Sequence, residues 1–302
     1  MVCHNCAVQC IRRGRNRNGT QRYQCRRCLK SFSEDRRSVG NMYTPLDRAR
    51  QATQLLVEGN SIRSTARITG LETKTVMTLL ARVGEGCRDL LRIRIHGLKV
   101  SHLELDELWT FVYKKQKRVM FGDPPDVGDV YCYIALDRSS RLVVAWHLGK
   151  RDDQNTSLFI RKVKWATTGS YQISTDAFPS YLPAIGLHLE KQASYARIVK
   201  VAAPGRIEGV LGSPELDLTE TTYVERLNGT LRQHCKRFTR KTYAFSKRWR
   251  MLEAALGLFF AHYNFFWAMK RRKEKPATPA MRAKLTDHVW SLDELLEQVV
   301  VG

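Results

Sequence analysis

Of 302 residues, 43% are hydrophobic and 26% charged, enough apolar material for a folded core and too much for wholesale disorder. The 51 Lys and Arg against 29 Asp and Glu give a net charge of +22, a field that attracts polyanions, nucleic acid first among them. No apolar segment follows Met1 as a secretory signal would, and the longest apolar run, Ala254 to Ala268, is too short to span a bilayer and carries His262 and Asn264, so a soluble, cytoplasmic protein with no membrane partner is expected.

The charge is concentrated in two blocks. Residues 1–100 carry a net +13, residues 225–275 a net +11, and the remainder is close to neutral. Two separate DNA-contacting regions would look like this; a solvated basic surface is the plainer alternative.

Residues 1–39 are rich in Arg and Cys and contain little that could form a core. Cys3 and Cys6 form one C-x2-C pair and Cys25 and Cys28 a second, with eighteen residues between them. Two such turns complete the tetrahedron of sulfurs that Zn²⁺ prefers, and the spacing is that of a zinc ribbon. His4 and Cys10 are the alternative ligands; His4, inside the knuckle, is expected to point away, and Cys10 to be a free thiol. A module this short cannot fold on its own core, so zinc would supply much of its folding energy. Arg12, Arg13, Arg15, Arg17 and Arg22 between the knuckles suit phosphate contacts, or else form a solvated loop.

Residues 43–95 read as helices. Leu46 to Val57 comes first; Ser61 N-caps a second helix holding Ile62, Ala66 and Ile68; Gly70 makes a tight turn; and Leu71 to Leu80 is the third. Helix, glycine turn, helix is the arrangement of a helix-turn-helix DNA-binding domain, with Lys74 and Thr75 near the start of the recognition helix. Any three-helix bundle gives the same pattern.

From 100 to 270 the pattern is mixed α/β: strands at 102–113, 129–137 and 141–149, a helix at 152–166, a strand at 171–175, a short helix at 178–186, a strand at 195–201, a Gly/Pro-rich loop at 202–218, and helices at 220–238 and 246–270. The aromatic residues of the last helix, Trp249 to Trp267, read as core. Residues 271–302 form a tail ending in a short helix from Asp293.

Three acids stand where a metal site would want them. Asp106 lies inside the strand LELDELW, Asp176 ends the strand ISTD, and Glu225 sits on a helix. An acid in a buried strand is costly unless it is paired or binds a cation. Two-metal phosphoryl transfer needs carboxylates converging from distant segments, and Mg²⁺ (or Mn²⁺) takes hard oxygen ligands. Each acid also has an ordinary reading: Asp176 as a helix cap, Glu225 as a surface acid beside arginines, Asp106 as the buried partner of one. Strand alternation sets Glu107 on the face opposite Asp106, and Asp137 is expected to open the hairpin turn at Arg138-Ser139-Ser140. Glu104, although it shares the face of Asp106, is left outside the site together with Glu107 and Asp137.

The cysteine ribbon, the helix pattern, the segments LELDELW, ISTDAF and YVERLNGTLRQHCKRFTRKT, and the tail TPAMRAKLTDHVWSLDELL resemble, in this order and across the chain, the IS1 family of insertion-sequence transposases, which is similar to other DDE transposases and retroviral integrases. The resemblance implies an RNase H-like catalytic core with C-terminal helices; Asp106, Asp176 and Glu225 as the catalytic triad; and a basic residue seven positions past the glutamate, here Arg232. Asn228 shares that helical face, and Lys236 follows in the same basic segment; both are expected at DNA. It also implies terminal inverted repeats and target DNA as partners, a homodimer or larger assembly on DNA, and a nucleoid-associated location. The acids are separated by 69 and 48 residues, wider than in shorter members, which leaves Glu208, Glu215 and Glu220 as alternatives to Glu225. A DNA-binding regulator with an inert core and a metal-dependent nuclease without strand joining are the rival readings.

Overall fold

The computed structural model describes residues 1–16, 19–33, 42, 44–199, 206–270 and 275–300. Arg17 lies outside them, as does part of the 202–218 loop. The chain forms two compact units, Met1–Leu46 and Asp47–Gly302.

The first unit holds a three-stranded antiparallel sheet of β1 (Cys10–Arg15), β2 (Gln21–Cys25) and β3 (Ser31–Ser33). Each C-x2-C turn closes the same way. The amide of Ala7 donates to the Cys3 carbonyl and that of Leu29 to the Cys25 carbonyl, and both Ala7 (φ 53°) and Leu29 (φ 60°) are left-handed. Cys3, Cys10 and Cys25 form a buried cluster in it, flanked by half-buried Tyr23 and Phe32. Sulfur occupies the centre where a larger domain would place aliphatic side chains.

The second unit begins with α1 (Leu46–Val57), α2 (Ile62–Thr69) and α3 (Thr73–Arg94). Ser61 caps α2 as expected, its hydroxyl accepting from the Ser64 amide at 3.0 Å, and Gly70 turns the chain at φ 68°. The third helix runs fourteen residues past its expected end at Leu80. Nothing stops it before Ile95, because Gly84 and Gly86, unfavourable in an isolated helix, are used for packing. A Cβ on Gly84 would overlap the Ala254 backbone, and one on Gly257 would meet the Gly84 carbonyl. Two helices thus cross at a pair of glycines. We expect Gly84→Ala to destabilise the fold by about 1–3 kcal/mol through overpacking, read as a lowered melting temperature; an unchanged melt would contradict this packing.

The remaining elements are β4 (Leu98–Lys99), β5 (His102–Val112), β6 (Gly128–Asp137), β7 (Val143–Gly149), α4 (Asp153–Ala166), β8 (Thr167–Thr168), β9 (Tyr171–Asp176), α5 (Tyr181–Leu189), β10 (Ala193–Val199), β11 (Arg206–Leu211), α6 (Thr222–His234), α7 (Trp249–Phe265), α8 (Pro279–Arg282) and α9 (Leu292–Val300). They build a six-stranded mixed sheet of order β11-β10-β9-β5-β6-β7. The meander β5-β6-β7 is antiparallel, β9 and β10 run parallel to β5, and β11 is antiparallel at the edge. Strand β11 falls in the segment expected to be a loop. Its glycines read as turn signals, yet an edge strand needs only one partner, and β10 supplies it.

Cross-strand pairing fixes the two faces. Glu107 opposes Tyr133, whose ring meets Phe159 of α4, so this face carries α4 and α5. Asp106 opposes Ile134, which opposes Trp146, whose ring meets Phe260 of α7, so the other face carries α6 and α7. Of the aromatic residues expected as core, Phe259, Phe260, Tyr263 and Phe265 of α7 are buried, Phe260 and Phe265 fully, whereas Trp249, Phe266 and Trp267 are half-buried. Asp137 holds the β6–β7 hairpin, accepting from the Ser139 and Ser140 hydroxyls and the Ser140 amide. Among the described residues no helix is long and apolar enough to cross a membrane.

Candidate functional site

Strands β5 and β9 are parallel neighbours, and their pairing ends at Glu104 opposite Ser174. Beyond that point the strands separate, and a crevice at the carboxyl ends of parallel strands is where open α/β sheets bind ligands. Asp106 lies just past the last pair on β5, and Asp176 is the last residue of β9. The carboxylates of Asp106, Glu107 and Asp176 each offer an oxygen within 4.8 Å of the others, a spacing that could hold a cation.

Each acid is held differently. Asp106 Oδ1 accepts from the Glu107 amide at 2.9 Å and Oδ2 from Asn228 Nδ2 at 2.7 Å. Asp176 Oδ1 accepts from the Phe178 amide at 2.9 Å; α5 starts only at Tyr181, so Asp176 closes a turn and caps no helix. Glu107 is committed at both oxygens: Oε1 to Arg151 at 2.6 Å, Oε2 to the Tyr181 hydroxyl at 2.9 Å. Glu225 stands apart from this trio. It is exposed, in the first turn of α6, where Thr221 Oγ1 donates to its Oε1 at 3.0 Å.

Burial pushes the Asp106 carboxyl up to about 7, with Glu107, Asp176 and Glu225 adding repulsion and the Glu107 amide opposing it. Burial and Asp176 raise Glu107 as well, against the pull of Arg151 and Tyr181. An acid raised in the folded state favours folding when protonated, so its contribution to stability is lost as pH climbs from 3.8 through about 7. A cation requires the carboxylate. Affinity for Mg²⁺ is therefore expected to rise between pH 6 and 8 with release of a proton, measured by titration calorimetry in buffers of different ionisation heat; a pH-independent affinity would contradict the crowding.

Along α6, Glu225, Asn228 and Arg232 share one face by their 3.6-residue spacing. Asn228 is 5% exposed, and among the described residues its Oδ1 and the Arg232 Nε are buried without a hydrogen-bond partner. His234, off that face, has Nδ1 against the Val57 carbonyl at 3.2 Å and its ring edge-on to Trp267. Lys236 is exposed beyond the helix, Lys74 is exposed and Thr75 half-buried at the start of α3, and Arg12, Arg13 and Arg15 are exposed on β1, Arg13 being bonded to Gln24. Of the alternative glutamates, Glu208 pairs with Arg197 at 2.7 Å on the far edge and Glu220 with Arg138; neither is in the acidic trio.

In the first unit the sulfurs of Cys3, Cys6, Cys25 and Cys28 all lie within 4.8 Å of one another. Cys3 and Cys28 are 3.6 Å apart, too long for a disulfide of about 2.05 Å and close to the separation of roughly 3.8 Å that tetrahedral Zn–S bonds of about 2.3 Å require. The Cys28 amide, with that of Arg27, points at Cys25 Sγ and, against burial, lowers its pKa to about 6, as suits a thiolate ligand. A hydrogen bond to Cys28, burial and a hydrogen bond to Cys3 push Cys6 up to about 12, a preference for the thiol that a cation at the centre would reverse. His4 packs edge-on to Phe32, and Cys10 is buried outside the cluster.

Arg151, Tyr181 and the place of Glu107 gave no sequence signal. Alternation separates side chains along a strand, but where β9 stops pairing with β5 after Glu104, adjacent carboxylates of β5 can reach one point.

No family model and no curated protein matches the chain. Among solved structures it is similar to a piggyBac transposase synaptic complex with hairpin DNA, at 12% identity and a TM-score of 0.39, over 88% of this chain and 74% of that one. It is also similar to the Mos1 mariner paired end complex with Mn, at 14% identity and a TM-score of 0.31, over 87% and 80%, and to the corresponding complex with Mg, at 14% and 0.25, over 74% and 81%. Identities this low and superpositions this loose leave the reading of the site to its own geometry.

Proposed function

We propose that this chain is a DNA transposase of the DDE type, of the IS1 family its motifs resemble, with Asp106, Asp176 and Glu225 as the metal-binding acids. The observation that carries the proposal is the meeting of Asp106 and Asp176 where two parallel strands part, with the Glu225-bearing helix pinned to Asp106 through Asn228. An antiparallel meander, then a helix and two strands parallel to the first, is the order expected of an RNase H-like core, which supports the same reading.

Glu107 is the rival third acid. Arg151 and Tyr181 already occupy its oxygens and neutralise its charge, so we assign it to anchoring the crevice wall, while exposed Glu225 completes the ligand set. Bound Mg²⁺ or Mn²⁺ ions would activate the attacking oxygen and stabilise the leaving one. Asn228 orients Asp106, and Arg232 presents cationic donors to a phosphate beside the acids. Water attack at an element end breaks the P–O3′ bond and frees a 3′-OH. That hydroxyl then attacks a target phosphodiester, exchanging one P–O bond for another. The first unit, folded around Zn²⁺ by the four cysteines, and a helix-turn-helix formed by α2 and α3 would bind the terminal inverted repeats, two copies of the chain serving two ends.

The test is incubation of the chain with a labelled element-end duplex, target plasmid and Mg²⁺. Joined product is expected. End binding without cleavage would identify a regulator with an inert core, and cleavage without joining a nuclease.

A further inference from the structure

The first turn of a helix leaves amides without intrahelical acceptors, and the N-cap side chain ordinarily takes one. In α6 it does not. Thr221 stands at the N-cap but makes no capping bond; its hydroxyl is turned to Glu225 instead. The amides of Tyr223 and Val224 donate to a residue on another element, Glu104 of β5, whose Oε2 accepts them at 2.8 and 2.9 Å. Glu104 is 0% exposed, and its Oε1 has no hydrogen-bond partner among the described residues. Burying a carboxylate for two backbone bonds is a costly way to stabilise a fold. It does provide a fixed point, since Glu104 lies two residues before Asp106 on the same face of β5. One strand thus grips α6 at two places: Glu104 its first-turn backbone, Asp106 the Asn228 side chain a turn later.

We propose that Glu104 is a positioning residue: its carboxylate replaces the side-chain cap of α6, which frees Thr221 to hold Glu225 and fixes where the Glu225 carboxylate stands relative to Asp106. This rests on the functional reading above in giving Glu225 its task. The negative charge also suits the positive end of the helix, but the assignment depends on where the accepting oxygen sits.

The experiment compares full-length wild type, Glu104→Gln, Glu104→Asp and Glu104→Ala by Mn²⁺ titration calorimetry, thermal melting and hydrogen exchange at the Tyr223 and Val224 amides. Gln keeps an acceptor oxygen at the same reach; Asp keeps the charge but withdraws it by a methylene. The expected order of Mn²⁺ affinity is wild type and Glu104→Gln close together, then Glu104→Asp, then Glu104→Ala, the last weaker by about 10–100-fold, as for loss of a group that orients a metal ligand. Amide protection should fall in the same order. Glu104→Asp matching wild type while Glu104→Gln fails would show that charge is what matters and overturn the proposal, as would unchanged Mn²⁺ affinity in a folded Glu104→Ala. If Glu104→Ala does not fold, the Gln and Asp pair decides. A wild type that binds no Mn²⁺ would refute the functional reading instead, and amide exchange would still judge the cap.

Discussion

Asp106→Asn and Asp176→Asn are each expected to leave the chain folded and bound to DNA while cleavage and joining fall by about 10³-fold or more. That corresponds to roughly 4 kcal/mol of transition-state stabilisation, a reasonable loss for a misplaced metal ion. The Asp106 variant carries a second, sharper expectation. Its carboxylate is disfavoured in the folded state, by burial first and then by the acids around it. Asn keeps an oxygen for the Asn228 donor and removes the charge. Without divalent cations, Asp106→Asn should therefore melt higher than wild type at neutral pH, by a margin that opens as pH climbs from 3.8 and levels off above about 7. A residue kept at a cost in stability is what a functional site produces. Calorimetric melting with the joining assay measures both; a variant that is destabilised yet fully active would refute the assignment.

Cys25→Ser should unfold the first unit while sparing the second. Cys25 is fully buried and receives two amide donors, and the centre it belongs to is made of sulfur. Structural zinc contributes about 10–16 kcal/mol of apparent binding energy in small zinc modules, far more than three short strands could replace. The variant should lose one equivalent of zinc per chain by metal analysis, become sensitive to protease within residues 1–46, and lose preference for element ends over random duplex. Residual non-specific binding should persist through the basic 225–275 segment. Retained zinc and end preference would contradict the four-cysteine site.

The sequence was legible where local chemistry decides the outcome. Ser61 and Gly70 bracket α2 because a cap and a left-handed turn are local devices, and the two C-x2-C turns close alike because each needs one left-handed residue. The runs of β5 to β7 could be read because strands covered on both faces show as short apolar stretches bounded by turn residues. Reading failed where the deciding partner is distant. Helix α3 outruns its expected end because Gly84 is matched by Gly257 on a helix more than 170 residues later. Strand β11 exists because β10 offers it an edge. In the site, Asp106 and Asp176 stood out as acids in strands, but the different tasks of Glu104 and Glu107 could not be separated from sequence. One faces the amides of α6 and the other faces Arg151 and Tyr181, and only the fold decides which.

In the proposed site the third ligand is Glu225 rather than Glu107. The most direct test is the anomalous scattering of Mn²⁺ in crystals of the chain bound to an element-end duplex. Two Mn²⁺ peaks about 3.5–4 Å apart, with Asp106 touching both and Asp176 and Glu225 one each, are predicted, and Glu107 should still be bonded to Arg151. A single Mn²⁺ enclosed by Asp106, Glu107 and Asp176, with Glu225 turned to solvent, would contradict the account.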